Sequence, residues 1–197
     1  MASGILIFGS SGSGTTTLGR AVAERLGFAH VDLDDYLWQW DTDIPFTVTR
    51  PRAERTRLLL EALSDVDHFV MSGSMDSYNA PFVPMFDLAV LHTAPVGIRL
   101  ARLQAREAAR LGARILPGGD MAEQHRAFLE TASRYDGDAS PSHSHHEQWA
   151  ATLPCPVLHT DGTRPVEENA ALVSAVYRRA AANRGERAHP GGGTAPA

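Results

Sequence analysis

Short β-rich apolar runs alternate with stretches of helical spacing along most of the chain. Gly4 to Phe8 (GILIF) is such a run, cut off at once by the Gly/Ser stretch GSSGSG, and it predicts a buried strand running into a loop. From Thr15 to Leu26 apolar residues recur at Leu18, Ala21, Val22 and Leu26, and Gly27 supplies a stop. That is helical spacing with a terminator. Phe28 to Leu33 predicts a second strand, Arg52 to Ser64 a helix, and His68 to Met71 a third strand ending at Ser72-Gly73-Ser74. A fourth strand is expected over Asp87 to His92 and an arginine-rich helix over Val96 to Leu111. After an irregular middle come a fifth strand at Pro156 to His159 and a closing helix from Val166 to Ala182. This alternation predicts an α/β fold, a parallel sheet covered on both faces, with ligands at the carboxyl ends of the strands. The stretch from about Arg184, with HPGGGTAPA, has no periodicity and reads as a disordered tail, leaving one domain over residues 1–183. No internal repeat is visible.

Length and composition narrow the class. With 197 residues, 43% of them hydrophobic and 21% charged, the chain suits one folded domain with a small insert. No apolar run approaches the roughly 18 residues that span a bilayer, and no cationic leader opens the chain. A cytoplasmic protein with no membrane partner is expected. The single cysteine, Cys155, makes no internal disulfide and reads as core filling. A net charge of −5 argues against a nucleic-acid partner, which needs clustered cations. All 18 basic residues are arginines and no lysine occurs. Chemistry that needs a lysine is therefore absent, rerouted through arginine or supplied by a partner.

The stretch Gly9-Ser10-Ser11-Gly12-Ser13-Gly14-Thr15-Thr16 follows a strand and opens a helix. It matches the phosphate-binding loop at every fixed position except the lysine, which is Thr15. Glycines let successive amides turn around a phosphate, and the helix start adds partial positive charge. Gly9, Gly12, Ser13, Gly14, Thr15, Thr16 and Thr17 are accordingly the expected nucleotide-binding residues, with the Thr16 hydroxyl directed at Mg²⁺. A dinucleotide fingerprint is the rival reading, since Asp32 follows at about the spacing of a ribose-binding acid. It fails at its third glycine, where Thr17 stands.

GSSGSGTTTLGRAVAERLG followed by HVDLDDYLW resembles the P-loop small-molecule and nucleoside monophosphate kinase superfamily, with its adenylate-kinase-like and shikimate-kinase-like members. The resemblance implies a P-loop NTPase three-layer sandwich, a five-stranded parallel sheet in the order 2-3-1-4-5, and transfer of the γ-phosphate of ATP. It implies a small helical lid over residues 106–145, with Arg102, Arg106 and Arg110 clamping the transferring phosphate. It also implies that Asp32 holds Mg²⁺ through water, that Asp34 accepts the proton or hydrogen bond of an acceptor hydroxyl, and that the Asp161-Gly162-Thr163-Arg164-Pro165 turn flanks the base. The missing lysine would cost about 10²- to 10³-fold in rate unless replaced, and arginine is the replacement available.

The residues themselves add detail. Arg99, Arg102, Arg106, Arg110 and Arg114 fall 3, 4, 4 and 4 apart, which stacks five like charges on one drifting helix stripe. A solvated helix face is the plain alternative. Asp32, Asp34 and Asp35 cluster past the second strand, with Asp35 expected to cap the next helix. Trp38 and Arg50 stand in the segment where the resemblance places the phosphate acceptor, and Gly73 permits close approach of a substrate to the backbone. Asp120 is expected to cap a helix over Met121 to Arg134. His143, His145 and His146 sit in a Ser/Pro-rich run without a ligand framework, so they read as a mobile polar loop rather than a metal site. Together these predict an ATP- and Mg²⁺-dependent phosphotransferase, monomeric or homodimeric, acting on a small-molecule hydroxyl or a nucleoside monophosphate. The alternative is a catalytically weak nucleotide-binding sensor or regulatory protein.

Overall fold

Five strands, β1 (Ser3–Phe8), β2 (Ala29–Asp32), β3 (His68–Ser72), β4 (Phe86–Thr93) and β5 (Val157–Asp161), form one parallel sheet in the order β2-β3-β1-β4-β5. The computed structural model describes residues 2–75 and 78–188. β1 is central, paired with β3 from Ser3↔His68 to Ile7↔Ser72 and with β4 up to Phe8↔Leu91. Ile5, Leu6, Ile7 and Phe8 have no accessible surface, which is why the run is continuously apolar rather than alternating.

Side chains on successive strand residues point to opposite faces, and each face has its own core. Ile5, Ile7, Val70, Leu88 and Val90 pack under α1 (Thr15–Leu26) and α7 (Val166–Ala188), which contribute Leu18, Val22, Ala170, Val173 and Tyr177. Leu6, Phe8, Phe69, Met71 and Leu91 meet Leu33 of α2 (Leu33–Leu37), Leu59 and Leu63 of α3 (Arg52–Leu63) and Ala150 of α6 (His143–Ala150). Cys155 packs at the edge of this second core. The remaining helices, α4 (Val96–Leu111) and α5 (Ala122–Ser133), are joined through a 3₁₀ turn at Gly112–Ile115. Among the described residues no helix is long and apolar enough to cross a membrane.

Four expectations are corrected. The predicted polar loop at His143, His145 and His146 is a helix, capped by Ser142, whose hydroxyl accepts from the His145 amide. His146 has no accessible surface. Its Nδ1 is 2.7 Å from the Tyr135 hydroxyl and its Nε2 3.0 Å from Ser74 Oγ, so polar partners replace apolar ones in its burial. Asp120 does not cap α5; it lies on the surface and pairs with Arg114 at 2.7 Å. Asp35 is not a cap either, because Asp32 caps α2 by accepting the Asp34 amide at 3.2 Å. α7 continues through 184–188, where the tail was expected to begin, and residues 189–197 lie outside the described residues.

Candidate functional site

The glycine loop leaves the carboxyl end of β1 and enters α1 at Gly14, which caps the helix in a left-handed conformation (φ 107°). Gly12 has φ 81°, and a Cβ there would lie 2.6 Å from the Arg99 carbonyl oxygen. A side chain is excluded by both conformation and space. Ser13 is fully buried and folds the loop on itself, its amide and hydroxyl donating to the Ser10 carbonyl at 3.1 and 2.8 Å. The loop therefore rests on the first turn of α4.

One turn further along α4, Arg102 donates to the carbonyls of Ser13 (3.1 Å) and Gly162 (2.9 Å). This fork fastens the glycine loop to the β5–α7 turn. His92, at the end of β4, is buried beneath both segments with Nδ1 2.8 Å from Thr160 Oγ1. Burial first, and then the Arg102 guanidinium, hold its pKa down to about 4, so the ring is neutral near pH 7 and adds no charge under the loop. Gly14, Thr17, Arg102, Gly162, Arg164 and Asn169 line a cavity of about 240 Å³ at this corner. Arg164 is paired with Glu168 at 2.8 Å, and the Asp161 carboxylate accepts the Thr163 amide at 2.8 Å.

The acidic residues stand across the same sheet edge. Gly73, with φ 118°, donates its amide to the Ile7 carbonyl, and a Cβ on it would fall 2.9 Å from Leu33 Cβ. That close approach sets the start of α2 against the tip of β3. Asp34 keeps solvent access yet is crowded by protein, and this desolvation is the first cause of its raised pKa. Asp32 adds to the rise and Asp35 adds less, while Arg106 and Arg110 of α4 oppose it. Arg106 and Arg110 thus face Asp34 electrostatically.

The stripe on α4 is not a row of free like charges. Arg99 is fully buried and donates to the carbonyls of Ala94 and Ala132 and to Asp136 Oδ2. Arg106 pairs with Glu107 at 3.0 Å, Arg110 lies 4.8 Å over the Phe46 ring, and Arg114 holds Asp120. Each cation has found its own neighbour as the stripe drifts around the helix. Arg50, expected beside an acceptor, donates its guanidinium to the carbonyls of Trp38 (2.6 Å) and Asp35 (3.2 Å). Trp38 bridges to Thr49 and sets its ring edge-on to Phe46.

Arg55 is a residue that sequence reasoning passed over. It stands in the first turns of α3 with its guanidinium 4.8 Å over the Tyr78 ring, and its buried Nε has no hydrogen-bond partner. Its position carries no motif that would have singled it out. Among the described residues no group of three His, Cys, Asp or Glu side chains is gathered to hold a metal.

No family model matches the chain. The uncharacterized protein YqaC of Bacillus subtilis (strain 168) is 40% identical over 170 residues, covering 85% of this chain and 93% of that protein. The chain belongs to the YqaC family. Among solved structures it is similar to shikimate kinase from Bacteroides thetaiotaomicron, at 15% identity over 89% of this chain and 98% of the other, with a TM-score of 0.55. It is also similar to a gluconokinase from Sinorhizobium meliloti 1021, at 19% identity over 95% and 98%, with a TM-score of 0.54. At these identities the likeness establishes the fold, which is that of P-loop kinases. The chain thus has the expected sheet order, with the glycine loop opening α1 after β1.

Proposed function

We propose that this YqaC-family protein is an ATP- and Mg²⁺-dependent phosphotransferase that moves the γ-phosphoryl group to a small hydroxyl-bearing acceptor or a nucleoside monophosphate. The observation that carries the reading is the glycine loop that follows β1 and opens α1 at Gly14, with Asp34 just past the end of β2 on the same sheet edge, where Arg106 and Arg110 of α4 act on its charge. A carboxylate with a raised pKa is a better proton acceptor than an ordinary one, and nearby guanidiniums suit a transferring phosphoryl group.

Bound magnesium nucleotide supplies the phosphoryl group and neutralises part of its charge. The loop from Gly9 to Thr17 wraps the phosphates with backbone amides at the start of α1. The Thr16 hydroxyl and the Asp32 carboxylate are hard oxygen donors that fit Mg²⁺. Arg102 and Arg164 stand beside the base and sugar cavity. Asp34 takes the acceptor hydroxyl proton as the new oxygen–phosphorus bond forms and the bond to the leaving diphosphate breaks. Arg106 and Arg110 take over the charge stabilisation that Thr15 cannot provide, because Arg102 is engaged with two loop carbonyls. Trp38 and Gly73 border the acceptor side. The half-buried Arg55, with its unpartnered Nε and its guanidinium over the Tyr78 ring, is a further cation that would fit an acceptor bearing a carboxylate or phosphate.

The test is transfer of label from [γ-³²P]ATP with Mg²⁺ to a panel of nucleoside monophosphates, nucleosides, sugars and hydroxy acids. Transfer to one acceptor class is expected, reduced about 10²- to 10³-fold by Arg106→Ala and abolished by Asp34→Ala. ATP binding without transfer to any member of the panel favours the second reading, a nucleotide sensor, for which Thr15 in the lysine position is the specific support.

A further inference from the structure

The Ser13–Gly14 peptide sits where the glycine loop becomes α1. A trans peptide points its carbonyl and the amide that follows in opposite directions, so whatever holds the Ser13 carbonyl also aims the Gly14 amide. Arg102 holds it. Its Nη1 donates to the Ser13 carbonyl at 3.1 Å and its Nη2 to the Gly162 carbonyl at 2.9 Å. Ser13 and Gly162 come from different segments and both border the cavity that the loop shares with the β5–α7 turn. A planar guanidinium carries its donors in a fixed fork, so meeting two carbonyls at once sets its own orientation and theirs together. The backbone of α4 backs the same loop one turn earlier, where the Arg99 carbonyl leaves no room for a Cβ on Gly12.

This peptide needs such a hold. Gly14 has φ 107°, and a glycine has many other conformations open to it. On one side the Ser13 amide and hydroxyl donate to the Ser10 carbonyl, and on the other the Gly14 carbonyl accepts the Leu18 amide at 2.9 Å. Neither bond fixes the plane between them. The Gly14 amide itself has no acceptor among the described residues, as first-turn amides lack helical partners and are open to an anion. We propose that Arg102 is a positioning residue that fixes the Ser13–Gly14 peptide with the Gly14 amide turned toward a nucleotide phosphate. It acts through the loop and not by touching the phosphate, which the resemblance had expected of it. The consequence for binding rests on the reading of the glycine loop as a nucleotide phosphate site, whereas the hold on the peptide does not.

The test uses the full chain and two variants. Arg102→Lys keeps the charge and loses the planar fork, and Arg102→Met loses both, giving a second readout if either variant fails to fold by circular dichroism. In the free protein the Gly14 amide is expected to give one sharp ¹H–¹⁵N resonance, which both variants broaden as the peptide samples other orientations. Inorganic pyrophosphate and ADP are then titrated by isothermal calorimetry. Arg102→Lys is expected to weaken both ligands by the same factor, about tenfold, the worth of one hydrogen bond to a charged group. Pyrophosphate binding as tight in Arg102→Lys as in the wild type would show that charge alone matters and overturns the proposal. A loss confined to ADP overturns it as well, because it places the guanidinium on the base or sugar. So does a Gly14 resonance that neither variant disturbs. A wild-type chain that binds neither ligand sinks the phosphate-site reading, and the spectra recorded without ligand still judge the hold on the peptide.

Discussion

Replacing Arg99 with methionine removes a fully buried cation that holds together the base of the arginine helix. Its Nε donates to the Ala94 carbonyl and its Nη1 to the Ala132 carbonyl, both at 2.9 Å, while Nη2 meets Asp136 Oδ2 at 2.8 Å. Ala94 precedes α4 and Ala132 lies in the last turn of α5, places where carbonyls lack a helical amide. Two buried acceptors left without donors cost roughly 1–3 kcal/mol each. Asp136 is 52% exposed and rehydrates, so its loss adds little. The expected destabilisation is about 4 kcal/mol, well above the roughly 1 kcal/mol of an ordinary substitution. Urea unfolding at neutral pH reads it as a fall in midpoint at constant slope. Arg126→Met is the control: Arg126 is paired with Glu123 but 65% exposed, and should cost under about 1 kcal/mol. A loss for Arg99→Met no larger than that of the control would refute the reasoning.

The folded-state pKa of His92 is about 4 against an ordinary 6.5, so between these values the unfolded chain binds the extra proton. Stability then rises with pH across that window and is lost as pH falls through it, by at most about 3 kcal/mol. Urea melts at pH 7, 6 and 5 should show a flatter dependence in His92→Gln. Gly12→Ala forces a side chain into a left-handed residue packed on the Arg99 carbonyl, at roughly 1–3 kcal/mol of strain. Loss of ATP affinity by isothermal calorimetry, with the fold retained by circular dichroism, is the expected result. If the α4 arginines stand in for the absent lysine, Thr15→Lys added to Arg106→Ala should recover part of the lost phosphoryl transfer, and no recovery would argue that the two positions do different jobs.

How far the site could be read from the chain depends on whether a residue's role comes from backbone geometry or from a distant partner. The glycine loop was legible because left-handed and crowded backbone admits few residue types, so Gly12 and Gly14 leave a mark in the sequence itself. The strands were legible to within a residue or two, most plainly β1 and the inner parts of β3 and β4, which are buried on both faces and therefore largely apolar. The sheet order came from the resemblance, since nothing local to β1 states that β3 and β4 will flank it.

The arginines show where such reading stops. Spacing alone put Arg99, Arg102, Arg106, Arg110 and Arg114 on one stripe and left a phosphate clamp and a solvated face both open, because periodicity reports which side of a helix a residue occupies but not what packs there. A drifting stripe crosses from the core side to the solvent side, so its five members meet five different surroundings: carbonyls at two helix ends, loop carbonyls, Glu107, an aromatic ring and Asp120. The same blindness hid His146, whose SPSHSHH context lacks apolar period although Tyr135 and Ser74 satisfy it inside the core. Partners distant in sequence therefore separate the arginines that hold the fold together from those left facing Asp34. Of the five, only Arg106 and Arg110 both act on the charge of Asp34 and lie clear of the carbonyl network, so the proposed phosphotransferase reading would give this pair the part of the absent lysine.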